Sequence, residues 1–462
     1  MKKQTTIKEK IQFSGHGLHS GKYTNMTLIP ASENHGIVFK RIDLEKNINI
    51  EAQVENVSST ERSTNLKKNN IEIKTVEHIL SAISGHDIDN LLIEIDNEEI
   101  PIMDGSAKEF SEGIKKVGKR TQNKNKKYYK VKKKIIYKDK DSGAEFVAIP
   151  SENFSVDVTI DYKSKVLGIQ NANINNIEEF HHEISESRTF CFLHELESLL
   201  ENDLIKGGDM SNAIVIVEKE IQDHQINKLS SLFNAQEIKI PREGILNNMK
   251  LRYSNEAARH KLLDVIGDLS LLGRSIKSKI QIKKPGHTPN INFVKKLKDI
   301  MIKEQQLTPP NIKFDQDPIY NKKQIEKILP HRDPFLFVDE IRQLKENSVV
   351  GIKFVKEEED YFKGHFPGAP VMPGVLQLET MAQVGGVLIL STVEDPENYL
   401  TYFMKIDNAK FKQKVLPGDT IIFRLELISP IRRGLCHMQG RGFVNESIVV
   451  EAELLAQIVK KS

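Results

Sequence analysis

The stretch NEAARHKLLDVIGDLSLLG, residues 255–273, decides how the longer, N-terminal part of the chain folds. Its apolar residues recur three and four positions apart, which predicts a long amphipathic helix. A second stretch, PGVLQLETMAQVGGVLILS at residues 373–391, is almost entirely apolar and predicts a helix buried in a core. Short alternating segments surround both helices, as in IDNLLIEID at residues 88–96, and predict strands. The sequence therefore predicts an α+β fold, with one long helix among the strands of its C-terminal part.

Length and composition limit the class of protein. The chain has 462 residues, which suggests about three domains, and its 39% hydrophobic residues are enough to fill several cores. A net charge of only +3 gives no reason to expect a nucleic acid partner. Cys191 and Cys436 have no paired spacing, so neither a disulfide framework nor a thiolate metal site is expected. No apolar run reaches the length of a membrane span and no signal peptide is visible, so we expect a cytoplasmic protein without integral membrane contact.

Composition changes mark the domain boundaries. The stretch QQLTPPNIKFDQDPIY, residues 305–320, contains paired prolines and cannot continue a helix, so the main boundary is predicted there. The predicted parts are residues 1–126, 127–307, a linker at 308–318, and 319–462. The lysine-rich run at 124–136 is interpreted as a solvated linker leading into an edge strand, with a basic binding patch as the alternative. Residues 192–205, FLHELESLLENDLI, have helical periodicity.

Three segments contain histidines that could serve a metal site. His260 and Asp264 are four residues apart on the predicted helix, so their side chains leave the same face. His78 directly follows Glu77, and His287 lies in the Gly/Pro-rich segment PGHTPN. Two imidazole nitrogens and one carboxylate make a three-ligand zinc set that leaves one position for water, and a nearby glutamate can accept the proton of that water. Taken alone, a histidine and an aspartate at this spacing are more often a hydrogen-bonded surface pair than metal ligands, and a glutamate followed by a histidine is common by chance.

The C-terminal part contains a second cluster of reactive groups in KGHFPGAPVMPGVLQLETMAQ, residues 363–383. His365 precedes a Pro/Gly-constrained loop, and Gly374 offers a backbone N–H at the positive end of the following helix. Glu379 lies among apolar residues, where a carboxylate is costly unless it has a task. The alternative is that Glu379 faces solvent and His365 is a loop residue. A membrane-associating stripe is disfavoured because the apolar stretch is short and is interrupted by glycines.

The N-terminal two-thirds of the chain, about residues 2–305, resembles the UDP-3-O-acyl-N-acetylglucosamine deacetylases. The motifs that carry the resemblance occur in the order of the family: GHGLHSGK at 15–22, TVEHILSAISGHDIDN at 75–90, EIPIMDGSA at 99–107, SRTF at 187–190 and RHKLLDVIGDL at 259–269. The resemblance implies a Zn²⁺ enzyme built from two α/β-sandwich domains, with UDP-3-O-acyl-N-acetylglucosamine as its substrate. Iron(II) is an alternative metal for such a ligand set.

The same resemblance implies roles for single residues. The zinc ligands would be His78, His260 and Asp264. Glu77 would be the general base for the attacking water, and His287 the general acid that protonates the departing nitrogen. The remaining groups would be Asp268, which orients His287, Thr189 and Lys261, which stabilise the oxyanion, and Tyr162, which contacts the nucleotide. Two segments depart from the family pattern: Cys191 replaces a frequent glycine after SRTF, and DYKSK at 161–165 differs near Tyr162.

Some histidines and some enzyme classes are set aside. His16 and His19, in the glycine-rich GHGLHSG, are interpreted as turn and site-wall residues and not as ligands of a second ion. A zinc peptidase is excluded because the sequence has no H-E-x-x-H motif.

The last 140 or so residues resemble the 3-hydroxyacyl-[acyl-carrier-protein] dehydratases, which have the hot-dog fold. Besides residues 363–383, the motifs are LPHRDPFLFVD at 329–339, AKFKQKVLPGD at 409–419 and RRG at 432–434. The resemblance implies that His365 removes the C2 proton, held in its tautomer by the carbonyl of Val371, while Gly374 holds the thioester oxygen. Glu379 of the partner subunit would help the C3 hydroxyl to leave, which requires a homo-oligomer, a dimer or a trimer of dimers.

The two resemblances together predict a bifunctional enzyme of lipid A and fatty acid synthesis. An α+β deacetylase of two α/β-sandwich domains would be followed by a hot-dog dehydratase. Acyl carrier protein would be the second partner, received by the basic residues Lys410, Lys412, Arg432 and Arg433. Two alternatives stay open for the C-terminal part: an inert acyl-binding scaffold, and thioester hydrolysis on the same fold.

Overall fold

The computed structural model describes residues 2–45, 48–195, 212–218, 244–246 and 249–461. The chain forms two compact units, Met1–Met301 and Ile302–Ser462. Helix predicted at residues 192–205 falls largely outside the described residues. Short 3-10 helices cover Val54–Asn56, Ile177–Glu179, Asp360–Lys363 and Pro396–Asn398.

The first unit consists of strands and a few helices. Its strands are β1 Lys3–Ile7, β2 Ile11–His16, β3 Tyr23–Pro30, β4 Ile37–Arg41, β5 Asn49–Glu51, β6 Val57–Ser59, β7 Asn65–Lys68, β8 Ile71–Ile73, β9 Leu91–Ile95, β10 Lys119–Asn125, β11 Tyr128–Lys130, β12 Ile135–Lys138, β13 Glu145–Pro150, β14 Ser155–Asp161, β15 Ile169–Ile174, β16 Phe190–Phe192, β17 Ile214–Val217, β18 Gly244–Ile245 and β19 Ser275–Lys283. Its helices are α1 Glu77–Gly85, α2 Lys108–Val117, α3 Phe180–Glu183, α4 Glu256–Ser270 and α5 His287–Gln306, the last of which continues past Met301.

Two larger sheets bear the helices that position the first site. One has the strand order β2-β3-β9-β4-β5, and the other β12-β13-β19-β14-β15. Helix α4 packs on β14 and β15 and also against α1, so it lies between apolar surfaces and nearly all of its residues are buried. Gly267 allows this close approach, because a Cβ atom there would lie 2.2 Å from the carbonyl oxygen of Glu77.

The lysine-rich run is more ordered than the predicted linker. Its edge strand is present, since β12 lies at the end of its sheet. Lys126, however, is buried, with Nζ 2.6 Å from an Asp87 oxygen and 2.8 Å from an Asp89 oxygen. The interpretation of the whole run as solvated is therefore wrong at this position, because two carboxylates supplied by a distant segment compensate the buried charge.

The second unit is one sheet around one long helix. Its strands are β20 Tyr320–Asn321, β21 Glu340–Lys345, β22 Ser348–Phe354, β23 Tyr399–Phe411, β24 Thr420–Leu427, β25 Leu435–Val444 and β26 Ser447–Lys460, in the order β20-β21-β22-β24-β25-β26-β23. Its helices are α6 Lys322–Ile328 and α7 Gly374–Leu390. Helix α7 packs on β22, β24, β25 and β26, as its apolar sequence predicts. In the described part of the chain, no helix is long and apolar enough to cross a membrane.

The segment predicted as a linker lies against the sheet of the second unit. Arg424 on β24 donates hydrogen bonds to the carbonyl oxygens of Gln305 and Thr308, at 2.7 and 2.6 Å. The Arg342 guanidinium lies 5.3 Å from the ring centroid of Phe314. These contacts tie the proline-containing segment to the fold of this unit.

Candidate active sites

Three buried side chains of the first unit converge on one point. His78 lies in the first turn of α1, and His260 and Asp264 lie one turn apart on α4, which packs against α1. Potential ligand atoms of the three lie within 4.8 Å of one another. Asp264 Oδ1 is 3.4 Å from His260 Nε2 and 3.7 Å from His78 Nε2, and it has no hydrogen-bond partner. A buried carboxylate oxygen facing two imidazole nitrogens at these distances is a natural cation site.

The electrostatics of this cluster suit a divalent cation. Burial, and then the neighbouring His260, lower the pKa of His78 to about 3, so this ring is neutral. Burial also lowers the pKa of His260, and its Nδ1 lies 3.1 Å from the carbonyl oxygen of Ser187, which makes Nδ1 the donor and leaves the Nε2 lone pair for a metal. Burial opposes ionisation of Asp264, but His260 and Lys261 outweigh it and lower its pKa. The three side chains therefore provide two neutral nitrogens and one carboxylate.

Glu77 begins α1 beside the ligands. Its Oε2 accepts a hydrogen bond of 3.0 Å from the backbone N–H of Thr64, and its Oε1 lies 3.9 Å from His287 Nε2. Burial raises the pKa of Glu77 to about 7, although His287 opposes the shift. A carboxylate with such a pKa can both accept and return a proton near neutral pH.

His287 opens α5 and is held by a buried carboxylate. Its Nδ1 lies 3.2 Å from Asp268 Oδ2, and its Nε2 lies 3.8 Å from Asp264 Oδ2. Burial lowers the pKa of His287, but the charge and hydrogen bond of Asp268 overcome this and raise it to about 9. Asp268 also accepts hydrogen bonds from Asn290 at 2.8 Å and from the Thr64 hydroxyl at 2.6 Å. His287 is thus a protonated imidazole that faces the cluster.

The two residues expected at an oxyanion have different surroundings. Lys261 Nζ is 2.7 Å from Asp264 Oδ2 and 5.6 Å from the centre of the Phe190 ring. Thr189 is fixed by its backbone, which donates to Gly105 O and accepts from the N–H of Ile214, both at 2.8 Å. Lys261 therefore lies at the cluster, and Thr189 directly precedes the aromatic residue that Lys261 contacts.

An aromatic wall adjoins the cluster. The ring of Tyr162 lies 5.6 Å from the rings of both Phe190 and Phe192, and 40% of this tyrosine is exposed. Cys191, between the two phenylalanines, is largely enclosed, and burial raises the pKa of its thiol to about 12. The departure from the family pattern at this position therefore adds a neutral thiol and no charge.

A buried glutamate organises the turn that contains His19 and follows strand β2. Glu99 is fully buried and accepts hydrogen bonds from the N–H groups of His19 and Ser20, at 3.0 and 2.7 Å. Glu99 also accepts a hydrogen bond of 3.0 Å from the hydroxyl of Thr75, which lies two residues before Glu77. The turn is thus fastened beside the start of α1. His19 lies in this turn, whereas His16 is the last residue of strand β2.

In the second unit, His365 is held by the loop that follows it. The carbonyl oxygen of Val371 lies 2.7 Å from His365 Nδ1, which makes Nδ1 the donor and leaves the Nε2 lone pair unprotonated in the neutral ring. Gly374 is the first residue of α7, where the backbone N–H groups point out of the helix. A Cβ atom on Gly374 would lie 2.7 Å from the exposed ring of Phe411, so a larger residue there would require this ring to move.

Glu379 has partners that the sequence did not indicate. Gln383, one turn later, donates a hydrogen bond of 3.0 Å to Glu379 Oε1, and His331 Nε2 lies 3.4 Å from the same oxygen. Burial favours the neutral acid, but these two groups outweigh it and lower the pKa of Glu379. Glu379, His331 and Gln383 line a cavity of about 100 Å³ between α7 and the sheet, which also contacts Met438 and Ile458.

The two expected catalytic groups of this unit have separate hydrogen-bond partners within one chain. No hydrogen bond or ion pair in the described part of the protein joins His365 to Glu379, and His365 is not among the residues that line the Glu379 cavity. The expected carrier-binding residues are divided as well. Lys410 and Lys412 lie at the end of β23 that pairs with Val450, whereas Arg432 and Arg433 lie at the opposite end of the sheet, beside the start of β25.

Sequence reasoning missed four residues that contact the expected catalytic groups. They are Thr64, Asn290, His331 and Gln383. Asn290, His331 and Gln383 had a usable signal, because they lie inside the segments PGHTPN, LPHRDPFLFVD and KGHFPGAPVMPGVLQLETMAQ, whereas Thr64 lies in none of them. Thr64 is 204 positions from Asp268, and no local pattern reports a contact of that range.

Comparison with known proteins adds an independent observation. A family model described as UDP-3-O-acyl N-acetylglycosamine deacetylase matches residues 4–231 and 222–299, and one described as FabA-like domain matches residues 329–453. The chain is 45% identical over 461 residues to the bifunctional enzyme LpxC/FabZ of Bacteroides thetaiotaomicron, with 100% of both chains covered. It is 44% identical over 460 residues to that of Porphyromonas gingivalis, with 100% of this chain and 99% of the relative covered. A UDP-3-O-acyl-N-acetylglucosamine deacetylase of Saccharophagus degradans is 39% identical over 293 residues, 63% of this chain and 88% of the relative.

These matches confirm both family resemblances predicted from the sequence. They also confirm the predicted fold class, an α+β deacetylase part followed by a hot-dog domain. The roles of single residues and the domain boundaries stay predictions.

Proposed function

Because the chain belongs to the family of bifunctional LpxC/FabZ enzymes, we propose that it carries out one reaction in each unit. The first unit hydrolyses the N-acetyl group of UDP-3-O-(3-hydroxyacyl)-N-acetylglucosamine, a reaction of lipid A synthesis. The second unit removes water from (3R)-3-hydroxyacyl-[acyl-carrier-protein] and gives the trans-2-enoyl chain, a reaction of fatty acid synthesis. A cytoplasmic location, as expected from the sequence, is part of this proposal.

The deacetylase family is metal-dependent, and the convergence of His78, His260 and Asp264 is the observation that carries the first reaction. We propose Zn²⁺ as the metal, because two neutral imidazoles and one carboxylate are a common catalytic zinc set. Bound there, the ion would polarise the acetyl carbonyl and lower the pKa of water toward ~7. The unpartnered Asp264 Oδ1 supports the fit, since a buried carboxylate oxygen without a partner is otherwise costly.

The protein's own groups move the protons. Glu77 accepts the proton of the attacking water, for which its raised pKa of about 7 and its buried position suit it. His287, whose pKa of about 9 keeps it protonated, donates its Nε2 proton to the departing glucosamine nitrogen. Asp268 holds Nδ1 and stabilises the charge on the ring. Lys261 and Thr189 stabilise the negative charge that develops on the acetyl oxygen.

In the second unit we propose that His365 is the base and Glu379 the group that assists loss of the hydroxyl. The free Nε2 of His365 takes the C2 proton, and the Gly374 N–H binds the thioester oxygen, where negative charge develops. The lowered pKa of Glu379 favours its carboxylate form, which orients the C3 hydroxyl. The proton that His365 takes from C2 then passes to the departing C3 oxygen, which leaves as water. The cavity beside Glu379, lined by apolar side chains, is a suitable place for the acyl chain.

Because no hydrogen bond joins His365 to Glu379 in the described part of the chain, and the dehydratase resemblance implies that Glu379 comes from the partner subunit, we propose that the dehydratase works as a dimer. Strand β23 supports this proposal, since it is a sheet edge of 13 residues with several exposed apolar side chains. Tyr402 is 52% exposed and Met404 56% exposed. A long apolar edge strand is a ready surface for pairing with a second copy. Replacing Met404 and Ile406 together by glutamate should give a monomer, as measured by light scattering. This monomer should deacetylate its substrate but should not dehydrate the acyl chain. If the variant is still a stable dimer, β23 is not the dimer interface.

The decisive experiment measures both reactions on one preparation before and after treatment with a chelator. Deacetylation should be lost and should return with Zn²⁺, whereas dehydration should persist. Glu77→Gln should reduce only deacetylation, and Glu379→Gln only dehydration, each by at least about 100-fold. Deacetylation that survives complete metal removal would refute the metal site. Absence of dehydration in the untreated protein would leave the second unit as a scaffold, and thioester cleavage without dehydration would make it a thioester hydrolase.

The carrier-binding proposal has a separate test. Charge reversal at Arg432 and Arg433, which are exposed, should weaken binding of the acidic acyl carrier protein. The rate of deacetylation should not change. Unchanged affinity would exclude these residues from the docking surface.

A further inference from the structure

Thr64 contacts both halves of the acid–base machinery of the first unit. Its backbone N–H donates a hydrogen bond of 3.0 Å to Glu77 Oε2. Its hydroxyl donates one of 2.6 Å to Asp268 Oδ1, and the hydroxyl oxygen lies 3.2 Å from His287 Nδ1. No other residue in the described ranges has hydrogen bonds to both Glu77 and the Asp268–His287 pair. Thr64 therefore links the proposed general base, Glu77, to the proposed general acid, His287.

The backbone holds Thr64 in place independently of its hydroxyl. Its carbonyl oxygen accepts a hydrogen bond of 3.1 Å from the N–H of Val76, the residue that precedes Glu77. Strand β7 begins at the next residue, Asn65, whose side-chain oxygen accepts a bond of 3.1 Å from the N–H of Thr75. Thr64 is itself fully buried. A change of its side chain therefore leaves its backbone attached to the start of α1.

The proton inventory fixes the direction of each bond. A threonine hydroxyl has one proton, and the short distance to Asp268 Oδ1 shows where it points. The hydroxyl oxygen then accepts, so the Nδ1–H of His287 is shared between Thr64 Oγ1 and Asp268 Oδ2, each 3.2 Å away. With Nδ1 held by two acceptors, the ring can rotate little and its Nε2 stays directed toward Glu77 Oε1 and Asp264 Oδ2.

We propose that Thr64 is a positioning residue, whose hydroxyl aligns His287 through Asp268 while its backbone holds Glu77. The inference rests on the proposed deacetylation. Because the Thr64 side chain is fully buried, it touches no substrate, and it acts only through groups that do. Its loss should lower the rate of the chemical step and leave substrate binding unchanged.

The test compares two variants of the full-length, zinc-loaded chain. Thr64→Val keeps the shape but removes the hydroxyl, and should lower kcat for deacetylation about 10- to 100-fold with KM within about twofold. Thr64→Ser restores the hydroxyl and should recover kcat to within about threefold of the wild type. Thr60→Val is the matched control, because its hydroxyl meets Thr288 at 2.7 Å and does not contact Asp268; its kcat should stay at the wild-type value.

Further readouts separate positioning from damage to the structure. Bound zinc, measured by mass spectrometry, should be the same in wild type and Thr64→Val. In an Asp268→Ala background, adding Thr64→Val should lower kcat by less than about twofold, because the two groups act through one path. The inference is overturned if the two substitutions together lower kcat by the product of their separate effects, or if Thr64→Ser lowers kcat as much as Thr64→Val. Either outcome leaves the proposed function intact. If the wild-type chain does not deacetylate, the proposed function fails and this inference with it.

Discussion

Gly267 is the position where a single methyl group should separate the two activities. It lies on α4 between Asp264 and Asp268, where the helix crosses α1, and an added Cβ would be 2.2 Å from the carbonyl oxygen and 2.9 Å from the carbonyl carbon of Glu77. Both atoms belong to the backbone, so no side chain can move away to make room. We therefore expect Gly267→Ala to push α1 and α4 apart.

The size of the displacement follows from these distances. Ordinary contacts between heavy atoms begin above about 3.2 Å, so the helices must separate by roughly 1 Å. Metal ligands tolerate deviations of only about 0.2 Å, and His78 lies on one helix while His260 and Asp264 lie on the other. Alanine favours a helix by about 1 kcal/mol over glycine, and overpacking costs about 1–3 kcal/mol, so the net loss of folding stability is about 0–2 kcal/mol and the protein should stay folded.

The expected result is a folded protein with a disabled first site. Gly267→Ala should bind substoichiometric zinc and lose at least about 100-fold in deacetylation, while dehydration by the same preparation continues at the wild-type rate. Ser270→Ala, one turn further along α4, adds no atom and serves as the control. Wild-type zinc content together with deacetylation within about twofold of the wild type would show that the packing of α1 on α4 does not set the ligand geometry.

Two further predictions concern buried partners of acidic groups. Arg188→Met should destabilise the first unit by about 3–5 kcal/mol in calorimetry, because it leaves the fully buried Glu256 carboxylate without its ion-pair partner at 2.9 Å. Burial alone would raise the pKa of Glu256, but Arg188 holds this pKa below its usual 4.5. The stabilisation by the pair is therefore present above pH 4.5 and is lost as the pH falls through the lowered pKa. Equal melting temperatures of variant and wild type at pH 7 would contradict this prediction. His331→Asn should slow dehydration about tenfold without affecting deacetylation, because Glu379 loses a partner. His437→Asn, at a partly exposed ion pair, is its control, and equal rates for the two variants would refute a role of His331.

Local sequence patterns predicted the main helices and placed His260 and Asp264 on one helix face. The convergence of His78 with these two was implied only by the family resemblance. Apolar spacing gave residues 255–273 as a helix, and the structure has α4 at Glu256–Ser270. The four-residue spacing of His260 and Asp264 placed both on one face, since that spacing is one turn. The apolar stretch before Ser391 likewise became the buried helix α7. In each case the information lies within one element, where periodicity reports the direction of side chains.

Contacts between distant segments were beyond such patterns. The burial of Lys126 depends on Asp87 and Asp89, which are supplied by a turn nearly forty residues earlier, and a run of lysines alone resembles a solvated segment. His331 meets Glu379 only because the loop before β21 packs beside α7. Long-range hydrogen bonds of this kind follow from the tertiary packing, which no spacing rule within a segment encodes.

The two proposed sites differ in how many chains each needs. His78, His260 and Asp264 come from one unit of one chain, whereas the proposed dehydratase takes His365 from one chain and Glu379 from its partner. Co-expression of His365→Ala with Glu379→Gln tests this directly. In mixed dimers one site receives both mutations and the other receives neither, so equal co-expression should restore dehydration to about one quarter of the wild-type rate, although each variant alone is inactive. Deacetylation should stay at the wild-type rate in all three preparations. A mixture as inactive as its components would mean that each dehydratase site is built within one chain, and that the exposed edge of β23 has another use.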